Sequence, residues 1–137
     1  MNILFFLTPK SEVEFVYDDD SLCQVIEKME SHHYAAIPLI SRQHGTYLGT
    51  VTARDILWYI KDEYQFSLKG ADDISIMRVK RDHDNEPVEA DANMEDLIDK
   101  ITNQNFVPVI DDTNIFIGII TRKDVINYLV KKAKKEK

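Results

Sequence analysis

Residues 49–55 read GTVTARD, and residues 118–124 read GIITRKD. Both spell Gly, two apolar or small residues, Thr, two residues, Asp, at an offset of 118 − 49 = 69. Each phrase runs into an apolar stretch, ILWYI or VINYL. Thr followed three residues later by an acid is the pattern of a capping box. The hydroxyl accepts from the N–H three residues on, and the carboxylate accepts from the cap residue's own N–H. That accounts for Thr52, Asp55, Thr121 and Asp124 with no ligand at all. The residues beside them point to further chemistry. Arg54 lies in the first turn of one copy, and Arg122 and Lys123 in that of the other. The helix dipole favours acids there. Cations beside free N–H groups make better sense with a phosphate between them. A carboxylate in the same turn suits the vicinal hydroxyls of a ribose, as in dinucleotide sites. Caps alone, or caps that also hold a ligand, are both consistent with the residues.

The elements that must position these groups also come twice. IPLI at 37–40 matches VPVI at 107–110, and SLCQVIEKM at 21–29 matches NMEDLIDKI at 93–101. The latter pair place apolar residues at i, i+3, i+4 and i+7: Leu22, Val25, Ile26, Met29, and Met94, Leu97, Ile98, Ile101. That is amphipathic helix spacing. Each half therefore reads strand, helix, strand, strand, helix. The first half spans about 13–17, 21–33, 35–40, 46–51 and 53–61, and the second about 86–89, 94–103, 106–110, 115–120 and 122–133. Polar turns join the inner strands: SRQHGT with Gly45, and DDTN. Gly49 and Gly118 fall inside strand patterns, where glycine marks a bulge or a close approach to the backbone. Segment 62–81 joins the halves, with Gly70 as its break. The sequence divides into residues 1–69 and 70–137. Each half is marginal alone at this size. One mixed α/β unit with the halves packed in pseudo-twofold symmetry is expected.

The 137 residues carry a net charge of −7, with 44% hydrophobic and 30% charged residues. That favours a folded, soluble chain and disfavours nucleic acid as a partner. No run approaches the roughly 18 apolar residues of a membrane span. The short apolar start MNILFFL lacks the form of a signal peptide. Cys23 stands alone, which suits a reducing cytoplasm, and reads as filler rather than a nucleophile. His32–His33 reads as a helix end facing the dipole rather than a metal pair. Asp18–Asp19–Asp20 reads as cap and dipole chemistry. Trp58 and Tyr59 read as core or as an exposed dimer face. The lysine-rich tail VKKAKKEK reads as solvated. No nucleophile, base and acid stand in a catalytic pattern, and neither a Gly-rich phosphate loop nor a metal cluster is evident, so no enzyme activity or cofactor is expected.

The ordered set, given twice, resembles a tandem pair of CBS (cystathionine-beta-synthase-type) domains over about residues 7–130. The resemblance implies two β-α-β-β-α repeats with clefts for adenosine-containing ligands. Thr52 and Asp55 would serve one cleft, Thr121 and Asp124 the other, with Asp on the ribose hydroxyls. Adenine would lie against Tyr34, Ala35, Ala36 and Ile37 in the first repeat, and Asn105, Phe106 and Val107 in the second. Val16–Tyr17 and Val88–Glu89 would close the pockets. The chain departs from an even repeat between Val16 and Pro38, 22 residues, against 20 from Val88 to Pro108. A regulatory ligand (AMP, ADP, ATP, S-adenosylmethionine or an adenine dinucleotide), a regulated protein partner and a homodimer are the implied associations.

Overall fold

In the computed structural model, residues 1–64 and 69–136 are described. Residues 65–68, within the expected joining segment, and Lys137 lie outside the described residues. The first repeat runs β2 (Val16–Tyr17), α1 (Leu22–His32), β3 (Ala36–Ile40), β4 (Tyr47–Thr52), α2 (Ala53–Tyr59). The second runs β5 (Val88–Glu89), α3 (Met94–Ile101), β6 (Phe106–Ile110), β7 (Phe116–Thr121), α4 (Arg122–Lys135). A further short strand, β1 (Thr8–Pro9), precedes both.

The same pairing recurs in each repeat. The short strand runs parallel to the strand after the helix, β2 to β3 and β5 to β6. That strand then pairs antiparallel with the next, β3 with β4 and β6 with β7. Both hairpins shift register at the same place, between Leu39 and Ile40 and between Val109 and Ile110. Left-handed residues close the turns, Gly45 at φ 72° and Asn114 at φ 68°. Asp111 collects the amides of Thr113 and Ile115 in the second turn, and these bonds, Ile115's first, lower its carboxyl's pKa.

The helix stripes find their cores. Leu22, Val25 and Met29 are buried with Val16, Ile37, Leu39 and Val51, and Ile26 packs against them. Leu97 and Ile101 are buried with Val88, Val107, Val109 and Ile120, and Met94 packs against them. Ile98, expected on the same stripe, is exposed instead: α3 is only 8 residues against 11 for α1, and its buried face is narrower. The shorter helix accounts for the two-residue difference in spacing. A polar residue caps each of these helices. Ser21 forms a capping box with Gln24, and Asn93 accepts from the Asp96 amide. His33 ends α1 in the left-handed conformation, and His32 stacks on Tyr34 while lying 3.6 Å from Glu14.

The first strands are shorter than the sequence patterns, two residues each. The acidic run also acts differently from a cap. Asp18 accepts the Arg42 amide, Asp19 pairs with the Arg42 guanidinium at 2.6 Å, and Asp20 accepts the Tyr17 amide. Arg42 lies 3.9 Å over the Tyr17 ring. These acids hold the β3–β4 turn to β2, which leaves Ser21 as the cap.

Two compact units form, one of Glu14–Asp84 and one of Met1–Val13 with Asn85–Lys137. The division therefore differs from a cut at 69/70. The segment before each repeat belongs with the other repeat. β1 pairs with the edge of β7, Thr8 opposite Ile119 and Pro9 opposite Gly118. In the other unit, Ile74, Ile76 and Val79 of the joining segment enter the core around Leu22.

Candidate functional site

The first Thr-x-x-Asp forms a complete capping box. Thr52 Oγ1 accepts the Asp55 N–H at 3.1 Å, and Asp55 Oδ2 accepts the Thr52 N–H at 3.3 Å. Asp55 is 4% exposed, the one charged residue that is buried among the described residues. Its second oxygen, Oδ1, accepts the Asp82 N–H at 3.1 Å. Asp82 belongs to a stretch that is bound to β4. Asp84 Oδ1 accepts the Thr50 N–H at 2.9 Å, Arg81 Nε pairs with Asp84 at 2.8 Å, and the Arg81 guanidinium reaches the Leu48 carbonyl. Gly49 is required here for space: a Cβ would collide with the Asp84 carboxylate and stand 2.7 Å from Arg81 Nε. Beneath this network Tyr47 and Thr50 share a buried hydroxyl bond of 2.7 Å, and burial pushes the Tyr47 phenol up.

Beside Asp55 opens a cleft of about 480 Å³. Arg54, Arg78 and Lys80 bring positive charge, and Trp58 and Tyr59 bring aromatic surface. Asp62, Glu63 and Asp82 also line it, so its charge is mixed. Such a lining offers cations to phosphate oxygens and carboxylates to hydroxyls. Arg78 and Lys80 were missed as site residues because they sit in what reads as a joining segment, and Asp82 and Asp84 because they fall between that segment and the next strand pattern.

The second copy is built differently. Thr121 Oγ1 accepts the Asp124 N–H at 3.1 Å, but the return bond of the box is absent. Asp124 is exposed, and its carboxylate accepts no hydrogen bond among the described residues. Arg122, read as a phosphate partner, is turned elsewhere. Its Nε donates to the Ile101 carbonyl at 2.8 Å, and its terminal nitrogen reaches the Thr102 carbonyl. The carbonyls at the end of α3 lack intrahelical partners and attract a cation. Lys123 stays exposed, in the position matching Arg54. Gly118 lies against the Thr8 carbonyl of β1, in the place where Gly49 meets Asp84.

The strand residues divide by depth. Tyr34 and Ala35 are exposed, Ala36 is half-buried, and the Ala35 carbonyl accepts the Ala53 N–H at 2.9 Å. Asn105 repeats this with the Arg122 N–H, also at 2.9 Å. The Phe106 carbonyl takes side-chain amides from Asn85 and Gln104. Ile37, Val107, Val16 and Val88 were read as ligand contacts, but their side chains lie in the cores. Their strands bury the face these residues occupy, which leaves only their backbone for a ligand. Cys23 has its thiol pushed up to about 11 by a hydrogen bond to Asp72, with burial and Glu27 adding to it, as suits a non-nucleophile. No group of His, Cys, Asp and Glu suited to a metal ion occurs among the described residues. Among them, too, no helix is long and apolar enough to cross a membrane.

The family model for the CBS domain matches residues 7–62 and again residues 77–131. The chain belongs to the CBS domain family. Its two CBS domains correspond to the two repeats. No curated protein sequence matches the chain. Among solved structures, CbpB in complex with c-di-AMP is similar at 27% identity and a TM-score of 0.85, over 100% of this chain and 91% of that one. CbpB from Streptococcus agalactiae is 28% identical with a TM-score of 0.81, over 98% of this chain and 85% of that one. CBSX2 in complex with AMP shares the fold, with a TM-score of 0.74 at 22% identity, over 96% of this chain and 98% of that one.

Proposed function

We propose that this CBS domain pair is a regulatory module that binds an adenine nucleotide and passes the bound state to a partner protein. The observation that supports this best is the likeness to CbpB, seen with c-di-AMP, along the whole chain. The cleft at Asp55, with Arg54, Arg78 and Lys80 beside a carboxylate, has the chemistry such a ligand needs. AMP, ADP, ATP, S-adenosylmethionine and an adenine dinucleotide belong to the ligand class, and the cations favour a phosphorylated one. The module is regulatory rather than catalytic, works in the cytoplasm, and pairs as a homodimer through exposed apolar helix faces at Leu57, Trp58, Ile126 and Leu129.

One observation favours a second reading. Both Asp55 oxygens already serve the protein's own N–H groups. On that reading the motifs are caps and the chain is an interaction module without ligand. Thermal unfolding against a panel of adenine and guanine nucleotides separates the two. A ligand bound only by the folded state raises the midpoint through RT ln(1 + [L]/Kd). The regulatory reading expects a rise with adenine nucleotides that is reduced in Asp55→Asn or Asp124→Asn. The interaction reading expects no rise from any of them.

A further inference from the structure

We propose that residues 81–84 form a strap on the first Thr-x-x-Asp and that a ribose reaching Asp55 displaces it. The inference rests on the nucleotide reading and adds a moving part to it. A ribose diol donates two O–H groups and needs carboxylate oxygen surface to approach. Asp55 is 4% exposed, with Thr52 N–H on one oxygen and Asp82 N–H on the other. The Thr52 bond is the return half of the α2 capping box and lies between neighbours in one helical turn. The Asp82 bond is made by an exposed residue outside any helix or strand. It is the bond a ligand exchanges at least cost to the fold.

The strap is anchored at both ends, on either side of Asp82. Asp84 holds the Thr50 N–H, and Arg81 holds both Asp84 and the Leu48 carbonyl. Release at Asp82 therefore leaves the segment tethered to β4 and moves exposed charged residues, Asp82 and His83, on the surface. Such a change is legible to a partner protein. Ligand and strap compete for one carboxylate oxygen, so by linkage each weakens the other. The second copy has no such tie on Asp124, which sets the two copies apart although their motifs match.

Amide hydrogen exchange on the full chain, with AMP and c-di-AMP as probes, tests the strap. The Asp82 amide is expected to be protected in the free protein and to exchange about tenfold faster or more when a probe saturates it. Asp84→Ala, which loosens the anchor without touching Asp55, is expected to tighten probe binding several-fold. A probe that raises the melting midpoint while Asp82 stays protected overturns the strap alone, including where binding is confined to the second copy. If neither probe moves the midpoint, the nucleotide reading falls and the strap falls with it.

Discussion

Asp55 and Asp124 hold the same position in their repeats and meet different demands. Asp55 is buried and accepts two backbone N–H groups, whereas Asp124 is exposed and its carboxylate accepts no hydrogen bond among the described residues. Asp55→Asn puts an amide N–H where an acceptor is needed. It is expected to lower unfolding free energy by about 1–2 kcal/mol. Asp124→Asn is expected to stay within about 0.5 kcal/mol of the parent. Urea unfolding without ligand measures both. The identical Thr-x-x-Asp patterns could not reveal this contrast. The second oxygen of Asp55 is taken by the Asp82 N–H, 27 residues along the chain, and no local pattern encodes that contact. Arg122 was misplaced for a related reason: the C-terminal carbonyls of α3 lie 20 residues upstream of it and compete for its guanidinium. Cys23 gives a pH prediction at the same scale. With a pKa near 11 its thiol stays protonated at neutral pH, and the reactive thiolate appears only as pH rises toward that value. Iodoacetamide labelling at pH 8 is expected to be more than about tenfold slower than for an ordinary cysteine thiol.

The helices and hairpins follow closely from the residue pattern, because each repeat states it in full. Amphipathic stripes, Ser21, Asn93, Thr52 and Thr121 as caps, and the turns at Gly45 and Asn114 all fall where local chemistry puts them. The end of α3 was harder to read, since Ile98 fits the period but finds no neighbour to bury it. Two glycines show what the last strand of each hairpin requires. An Ala at Gly118 would drive its Cβ into the Thr8 backbone, which cannot swing away, and is expected to cost about 1–3 kcal/mol. At Gly49 the obstacle is the Asp84 side chain. Gly49→Ala should therefore cost clearly less in an Asp84→Ala background than in the parent, a coupling that a double-mutant cycle measures. His33 pays the strain of a left-handed conformation at φ 57°. His33→Gly is expected to raise stability by up to about 1 kcal/mol, read as a higher unfolding midpoint.

At the scale of the molecule, the repeat in the sequence and the compact units in space are cut differently. Residues 1–13 complete the unit of the second repeat, and residues 70–84 that of the first. Linker composition does not mark the exchange, because each exchanged stretch is short and adjoins in sequence the repeat it does not pack with. The exchange also explains why site residues such as Arg78 and Lys80 come from the joining segment. The exposed apolar residues Leu57, Trp58, Ile126 and Leu129 lie on α2 and α4. A homodimer held through these helices should give twice the chain mass by light scattering, and Trp58→Asp combined with Leu129→Asp should give the monomer.

The account turns on whether the chain holds an adenine nucleotide. Isothermal titration of the purified chain with c-di-AMP and with AMP, against GMP as control, asks this directly. The account predicts saturable binding of at least one adenine ligand, absent for GMP and weakened by Asp55→Asn or Asp124→Asn. No saturable heat from either adenine ligand, or equal binding of GMP, would contradict it.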